Sequence, residues 1–459
     1  MFCHYFNMTK NGVKGKNWGL GFPNHFVITN ISTILTSNNK IVEYKNMDYI
    51  KRHGEKTVRE LTEMFGAVLV TGARQVGKTT LLKELTAKKR GRKITYVSLD
   101  NAAVFKSARE EAETFFEYNP PPVFVDEIQY APNLFPAIKL LIDDSQQTGL
   151  FYLSGSQQFH LMKNVSESLA GRVGILNLAG LSLREMFNVS FAKPFLPDRK
   201  YFTDRKKEII KIEPNKVWHL IHQGSMPALH VRGGKQWARF YGAYIRTYIE
   251  RDVRHLTQIG DELKFLNFMT VLAGSIAQLL NLSSIANDVG ISNKTAERWL
   301  SILVTSNLVY LLQPFHTNTS KRAVKTPKLY FLDTGLAAYL TKWNSPEVIR
   351  DGAKSGAFFE NFIIMEILKS YLNAGILDPP LYFFRNKDKK EIDLLIWQNG
   401  LLHPLEIKKT AAPDPSDIKT FTVLDNQTSL KRGPGGLICL AGQLLPLKGE
   451  DLVIPVAYI

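Results

Sequence analysis

The sequence predicts an α/β protein of about three domains, at roughly 150 residues per domain. Short apolar runs alternate with amphipathic segments between about residues 47 and 200, as is typical of a parallel sheet with crossover helices. From about 215 to 320 the pattern is helical, and from about 355 strands and helices mix again. These three observations divide residues 47–459 into predicted domains at 47–214, 215–320 and 321–459.

Five apolar runs are predicted to form the strands of the first domain, at residues 67–71, 94–99, 123–126, 150–154 and 174–178. Short runs of this kind, bounded by polar and turn residues, are typical of buried strands. The segment 195–214 combines prolines with many charges. We therefore expect a loop or lid where the first domain ends.

Composition limits the partners and the compartment. The net charge of +16 makes a polyanion such as DNA a candidate partner, because phosphate contacts are largely electrostatic; a charge that serves only solubility is the alternative. Cys3 and Cys439 form neither a disulfide framework nor a Cys-rich zinc site and fit a reducing compartment. The least polar stretch, 265–282, contains Asn267 and Gln278, so we predict no membrane span and a cytoplasmic protein.

The first 46 residues differ from the rest of the chain. They contain eight Asn and one acidic residue, and they lack a sustained hydrophobic period. This composition predicts either a disordered leader or an over-extended reading frame with the true start at Met47.

A phosphate-binding loop follows the first apolar run. Residues 72–79, GARQVGKT, match G-x-x-x-x-G-K-[ST] at every position and precede an amphipathic helix. Backbone amides of such a loop cradle phosphates, Lys78 reaches the β and γ phosphates, and the Thr79 hydroxyl binds Mg²⁺. The sequence therefore predicts ATP and Mg²⁺ as cofactors, with nucleotide contacts from Gly72, Ala73, Arg74, Gln75, Val76, Gly77, Lys78, Thr79 and Thr80.

A second apolar run ends in two acids, Asp126 and Glu127. At the end of a strand beside the phosphate loop, Asp126 is expected to hold Mg²⁺ through water. Glu127 is expected to polarise the attacking water, which is a requirement of hydrolysis rather than of binding.

Two further features extend the predicted nucleotide site. The run 150–157, LFYLSGSQ, ends in small polar groups, and Ser154 or Ser156 is a candidate sensor of the γ phosphate. Arg172, in the stretch LAGRV, is a candidate for stabilising transition-state charge in cis or across a subunit interface. An ordinary surface arginine is the alternative.

Residues 282–300 predict a helix-turn-helix with a Gly-containing turn and a second helix that begins near Ser292. Ser292 is the expected N-cap, and residues 308–312 are expected to begin a wing. Asn293, Lys294, Thr295 and Arg298 would face outward, where a major groove is read. Packing against the nucleotide domain or contact with a protein is the alternative role.

The C-terminal part combines carboxylates with a predicted hairpin. Strands at 391–396 and 403–409 flank an Asn-Gly turn, which is a strong hairpin signal. Asp393, Glu406 and Lys408 can meet on one edge of it, and the helix around Glu360 can add a further carboxylate. Such a set could bind a divalent cation while the lysine orients a water.

Six motifs together carry a family resemblance: GARQVGKT, VFVDEIQ, YLSGSQ, LAGRV, HQGSMPAL and YIERDV. Over about residues 50–455 the chain resembles a group of prokaryotic AAA+ ATPases that carry a C-terminal domain of unknown function. The resemblance implies a RecA-like αβα core with strand order 5-1-4-3-2, a winged-helix region and a nuclease-like C-terminal domain. Asn, the frequent γ-phosphate sensor of the wider superfamily, is absent here.

The C-terminal motif resembles the PD-(D/E)xK core of restriction-endonuclease-like domains. Glu360, Asp393, Glu406 and Lys408 stand at the matching positions, and Ile392 replaces the nominal proline. A degenerate nuclease fold used for docking, or for binding nucleic acid without cutting it, is the alternative.

Taken together, these patterns predict a Mg²⁺-dependent ATPase that couples its nucleotide state to a DNA-binding or nuclease-like C-terminal module. The alternative is a nucleotide-gated switch that acts on a protein partner or through self-association, with an inert C-terminal domain.

Overall fold

Five parallel strands form the first sheet of the computed structural model, in the order β2-β3-β4-β1-β5. Their bounds are β1 Ala67–Thr71, β2 Thr95–Ser98, β3 Val123–Asp126, β4 Phe151–Ser154 and β5 Val173–Asn177. The five predicted strands and the implied order are confirmed. Val68 and Val70 pack in the core on one face, and Ala67 and Leu69 pack in the core on the other, because successive side chains of a strand point to opposite faces.

The structure describes residues 49–87, 93–156, 165, 167–248, 261–316, 326–425 and 431–459. These described residues belong to one compact unit, Tyr49–Ile459. The predictions for the leader and for a start at Met47 lie outside them. None of the helices in the described ranges is long and apolar enough to cross a membrane.

Helices flank the parallel sheet on both faces. Their bounds are α1 Gly54–Met64, α2 Lys78–Ala87, α3 Ala102–Glu110, α4 Ala112–Tyr118, α5 Leu134–Ser145, α6 Leu183–Met186 and α7 Arg199–Arg205. Strands β1, β3 and β4 are buried along their whole length, which is why their sequences read as continuous apolar runs.

The loop or lid boundary predicted at 195–214 accounts for only part of the segment. Residues 195–198 and 209–213 are neither helix nor strand, but α7 lies between them, and Phe195, Tyr201 and Phe202 are buried in the main core. The Tyr201 hydroxyl donates a hydrogen bond to the Tyr458 carbonyl at 3.0 Å, so the segment packs against residues near 458. The aromatic residues decide the outcome, because charged side chains between them can remain at the surface while the rings are buried.

The middle region is mainly helical and contains three short strands. Its elements are α8 Pro214–Gln223, α9 Pro227–Val231, α10 Trp237–Tyr248, α11 Glu262–Gly274, β6 Gln278–Leu279, α12 Leu282–Val289, α13 Asn293–Thr305, β7 Val309–Pro314, β8 Lys328–Phe331, α14 Thr334–Leu340 and α15 Pro346–Asp351. The Ser292 hydroxyl caps α13 by accepting from the Thr295 amide at 3.1 Å, as its position predicts. Gly290 ends α12 with a φ of 71°.

The C-terminal region begins with a long buried helix, α16 Ser355–Asn373. It continues with β9 Leu381–Arg385, β10 Glu391–Gln398, β11 Leu401–Ile407, α17 Thr422–Asp425, β12 Lys431–Arg432, β13 Gly436–Cys439, β14 Leu445–Lys448 and β15 Asp451–Pro455. The predicted hairpin is β10 and β11, and both turn residues, Asn399 and Gly400, have positive φ as a two-residue turn of the I′ type requires.

A single ten-stranded sheet joins the middle and C-terminal regions. Its order is β14-β15-β13-β11-β10-β9-β7-β8-β6, with β12 beside β11. The link is the parallel pairing of β7 with β9, where Gln313 lies opposite Tyr382. Strand β8 pairs with β7, so the sheet runs across the boundary predicted at residue 320.

Helix α16 is fastened to β8 by the fully buried side chain of Asn361. Its amide oxygen accepts from the Phe331 N–H, and its amide nitrogen donates to the Phe331 carbonyl, both at 2.8 Å. One side chain therefore satisfies both backbone groups of a buried strand residue.

Replacing Asn361 by Ala is expected to lower the free energy of unfolding by about 3 kcal/mol, because two buried backbone groups lose their partner. Denaturant unfolding of the full chain measures this loss. Asn344→Ala, at an exposed position, is the control and should change stability by less than about 0.5 kcal/mol. Equal losses in the two variants would contradict the assigned role.

Candidate functional site

The phosphate loop connects the end of β1 to the start of α2. Its backbone takes left-handed conformations at Gly72 (φ 139°), Gln75 (φ 62°) and Gly77 (φ 96°). A Cβ at Gly72 would lie 2.1 Å from the Leu178 carbonyl oxygen, so only glycine fits there. The buried Lys78 ammonium donates to the Gly72 and Ala73 carbonyls at 3.0 and 2.8 Å, which keeps its charge at the mouth of the loop.

Three hydroxyl groups converge on the Asp126 carboxylate at the end of β3. Thr79 Oγ1 donates to Oδ1 at 2.9 Å, Tyr96 donates to Oδ2 at 3.0 Å, and Ser154 donates to Oδ1. Burial and the charge of Asp126 raise the pKa of Tyr96 to about 12. The strand ends of a parallel sheet thus bring the predicted Thr79, Asp126 and Ser154 together, as expected for such an edge.

Glu127 follows Asp126 in a left-handed conformation with a φ of 60°. Such a backbone costs a non-glycine residue roughly 1–3 kcal/mol and persists only where surrounding contacts fix it. Gln129 Nε2 donates to the Glu127 carboxylate, and Ser156 Oγ lies 3.5 Å from the same oxygen. The Glu127 carboxylate is therefore fixed in position by Gln129 and Ser156, one residue after Asp126.

Arg172 lies at the end of the strands opposite to the phosphate loop. Its carbonyl accepts from the N–H of Ala67, the first residue of β1, whereas the phosphate loop follows the last residue of that strand. The guanidinium forms two hydrogen bonds with Asp143, at 2.5 and 3.0 Å. The predicted role at the nucleotide of its own chain is therefore wrong, and a role across a subunit interface stays a prediction.

Sequence reasoning missed Arg52, which is only 3% exposed. Its guanidinium donates to the Val76 carbonyl within the phosphate loop at 2.7 Å and to the Ala179 carbonyl at 2.8 Å. Its Nε pairs with Glu185 at 3.1 Å. Burial alone would raise the pKa of Glu185, but the charges of Arg52 and His53 outweigh it and hold the pKa below its ordinary value. No sequence pattern around Arg52 indicates these contacts.

Residues 179–185, here called the hub segment, also contact the middle and C-terminal regions. The Ser225 carbonyl accepts from the Leu181 N–H at 2.7 Å. From α16, Glu366 accepts from the Leu183 N–H at 2.6 Å, and Lys369 donates to the Leu181 carbonyl at 3.0 Å. The hub segment therefore contacts both α16 and Arg52, the side chain that holds the phosphate loop.

The hub segment is also linked, through Ser225 and Asp333, to the residues that follow β8. The Ser225 N–H donates to Asp333 Oδ2 at 2.6 Å, and Asp333 caps α14, which follows β8 directly. The Tyr241 hydroxyl donates to the other oxygen of Asp333, also at 2.6 Å. The motif HQGSMPAL thus supplies the connection between the nucleotide domain and the ten-stranded sheet.

The C-terminal carboxylates lie together, as the hairpin pattern predicts. Asp393 Oδ2 accepts from the Ile407 N–H at 2.9 Å, and Lys408 Nζ lies 2.7 Å from Glu406 Oε1. Glu360 is brought to the same cluster by α16 and accepts from the Tyr330 hydroxyl at 2.7 Å. Burial first, and then the charge of Asp393, raise the pKa of Glu360 to about 7 and that of Glu406 to about 8.

Sequence reasoning missed Lys328, the first residue of β8. Its ammonium lies 2.6 Å from Glu391 Oε1, 3.0 Å from Glu360 Oε1 and 3.7 Å from Asp393 Oδ1. Burial would lower the pKa of Lys328, but these three carboxylates outweigh it and raise the pKa above the ordinary value. Carboxylate oxygens are ligands that a divalent cation can use, but the Lys328 ammonium already lies among these oxygens. Across the part of the chain that the structure describes, no group of three or more His, Cys, Asp or Glu is arranged to hold a metal.

Residues 65–187 match the family model of the AAA domain. The nucleotide site therefore lies in the part of the chain that is similar to AAA domains. Residues 215–347 match a domain of unknown function (DUF8612), and residues 355–459 match another, DUF4143. The AAA match contains the phosphate loop, Asp126, Glu127 and the hub segment, whereas Lys328 and the carboxylates around it fall in two different matches.

Two relatives that match most of the chain are described as uncharacterized proteins. The proteins Rv2008c of Mycobacterium tuberculosis and Mb2031c of Mycobacterium bovis are each 27% identical over 379 residues, which is 82% of this chain and 78% of theirs. Among solved structures, the Walker-type ATPase PABY2304 of Pyrococcus abyssi is 14% identical with a TM-score of 0.42, over 64% of this chain and 97% of that one. AMPPCP-bound DnaA from Aquifex aeolicus is 13% identical with a TM-score of 0.28, over 55% and 85%.

Replacing Arg52 by Met is expected to cost about 3–5 kcal/mol of stability, because Glu185 stays buried without its partner. It should also weaken nucleotide binding, since the Val76 carbonyl loses the donor that fixes its direction. Thermal unfolding and titration with a fluorescent ATP analogue measure the two effects. Arg59→Met, at a side chain 53% exposed with a 3.8 Å ion pair, is the control. Nucleotide affinity equal to wild type in the Arg52 variant would contradict the role of Arg52 in holding the phosphate loop.

Proposed function

We propose that the chain is a Mg²⁺-dependent ATPase whose nucleotide state is passed to its C-terminal half. The observation that carries this proposal is the hydrogen bond of Thr79 to Asp126 at 2.9 Å, together with a Glu127 carboxylate that Gln129 and Ser156 fix. Nucleotide binding alone needs the loop, whereas hydrolysis also requires a carboxylate that can polarise the attacking water. A cytoplasmic site of action, without a membrane partner, fits the two cysteines of the chain.

The residues present fit Mg²⁺ at the nucleotide. Thr79 and Asp126 offer a hydroxyl and a carboxylate, the hard oxygen donors that Mg²⁺ prefers, and they already face each other. Thr79 would bind the ion directly and Asp126 through water. When bound, Mg²⁺ neutralises charge on the β and γ phosphates.

The remaining residues divide the work at the nucleotide. Amides of residues 72–79 bind the phosphates, and Lys78 exchanges its contacts with loop carbonyls for contacts with phosphate oxygens. Glu127 accepts a proton from the attacking water and is positioned for this by Gln129 and Ser156. Tyr96 and Ser154 keep the Asp126 carboxylate in one orientation through their hydrogen bonds.

The proposed transmission path begins at Val76 in the phosphate loop. A change in the loop would act on Arg52, then on the hub segment, and from there on α16 through Glu366 and Lys369. Contact is continuous along this path, so the loop and the C-terminal helix cannot move independently without breaking buried hydrogen bonds.

The order of elements supports a winged-helix identity for residues 262–331. A helix, a short strand, two helices and two strands follow one another, and β6 pairs with β8. In the C-terminal region, α16 followed by β9, β10 and β11 supports a PD-(D/E)xK-like core, with Glu360, Asp393, Glu406 and Lys408 at its motif positions. Neither identity by itself implies cutting of nucleic acid.

Glu127→Gln is expected to lower the rate of ATP hydrolysis by about 100-fold or more while nucleotide binding persists, because the amide binds no proton from water. Phosphate release and equilibrium binding of an ATP analogue separate the two effects. Lys78→Ala should lose both, and the exposed Glu117→Gln should lose neither. Hydrolysis by Glu127→Gln at the wild-type rate would refute the assignment.

A second candidate function is contact with DNA through α13. Lys294 and Arg298 are exposed on this capped helix, and the chain carries a net charge of +16. Exposed basic groups on a helix of this kind can contact phosphates or base edges.

The double change Lys294→Ala and Arg298→Ala is expected to weaken DNA binding and to reduce the salt slope of log K by about 2, one for each lost phosphate contact. Fluorescence anisotropy with duplex DNA across a salt series measures this. The charge-matched control is Lys56→Ala with Arg59→Ala on α1. Equal effects in both pairs, or no DNA binding at low salt, would favour a protein partner or self-association instead.

A further inference from the structure

The cation nearest the C-terminal carboxylates comes from outside the C-terminal region. Lys328 opens β8, which lies between β6 and β7 in the sheet. Its side chain is 3% exposed. Because an interior strand fixes the backbone, the ammonium is delivered to the cluster from a rigid support rather than from a loop.

The ammonium lies between the oxygens that a metal would use. Glu391, Glu360 and Asp393 each place an oxygen 2.6–3.7 Å from Lys328 Nζ. A divalent ion among the same oxygens would need ligands at roughly 2.0–2.6 Å, within the volume that the ammonium fills. The ammonium and a metal therefore exclude each other.

Charge leads to the same conclusion. The cluster holds four carboxylates and three cationic groups: Glu360, Glu391, Asp393 and Glu406, with Lys328, Arg385 and Lys408. With every group ionised, side chains balance three of the four negative charges, and protonation of a carboxylate would leave still less negative charge. A divalent ion would therefore leave an excess of positive charge next to Lys328, whose side chain is 3% exposed, which is costly.

We propose that Lys328 is the built-in cation of the carboxylate cluster. Its ammonium takes the place of a divalent metal, so the wild-type cluster binds none and holds no metal-bound water to attack a phosphodiester. The inference goes beyond the ATPase proposal and does not depend on it, since it concerns residues outside the nucleotide domain.

Electron paramagnetic resonance of Mn²⁺ with the nucleotide-free full chain tests the proposal. All chains carry Asp126→Asn, which removes the carboxylate of the nucleotide site. The chain with Lys328 should retain no Mn²⁺ at the cluster. Adding Lys328→Met should create one Mn²⁺ site at the cluster. Its affinity should be at least about 100-fold higher than that of the chain with Lys328, because a positive charge next to the bound ion is removed. Adding Asp393→Asn should abolish the new site, and Lys328→Arg should not create it.

Two results would overturn the proposal. One is a Mn²⁺ site in the chain with Lys328 that disappears with Asp393→Asn. The other is a folded Lys328→Met chain that gains no Mn²⁺. If Lys328→Met does not fold, Mn²⁺ binding by the chain with Lys328 is compared with and without Asp393→Asn. This comparison still tests the proposal, because it needs no change at residue 328.

Discussion

The buried guanidinium of Arg52 is the contact on which the nucleotide site depends. Its three nitrogens each have an acceptor, one in the phosphate loop and two in the hub segment, at Ala179 and Glu185. A buried charge is tolerated only when it is paired and its donors are used, so this arrangement has few alternatives. Since the Val76 carbonyl is turned toward Arg52, the loop is shaped by residues 24 positions upstream and more than 100 positions downstream.

Helix α16 connects the two halves of the molecule as a single rigid element. Glu366 and Lys369, three positions apart on one face, bind the hub segment. Glu360 lies only about 9 Å from Glu366 along the axis, at 1.5 Å per residue, and enters the carboxylate cluster. The same helix therefore contacts the hub segment and contributes Glu360 to the carboxylate cluster.

Local patterns predicted the parts of the fold that local forces decide. The five strands, the phosphate loop, the Ser292 cap and the Asn-Gly hairpin each depend on a few adjacent residues, and each could be predicted. Helix α7 within the segment 195–214 was not predicted, because the aromatic rings among its charges pack into a core that is formed by residues distant in the sequence.

The missed site residues share one property. Arg52, Tyr96 and Lys328 act through partners 24 or more positions away, and no spacing in the sequence encodes those contacts. The burial of a lone basic residue becomes visible only when the strands around it are assembled. Arg172 illustrates the reverse case, because a suggestive motif lies at the wrong end of its strand.

The pairing of β7 with β9 has a consequence for how this molecule can be divided. Sequence matches separate the chain between residues 347 and 355, yet backbone hydrogen bonds of one sheet cross that division. Cutting there would leave an unpaired strand edge on each fragment, which is a template for aggregation. The middle and C-terminal regions therefore share one sheet, and a chimera with a relative must transfer both together.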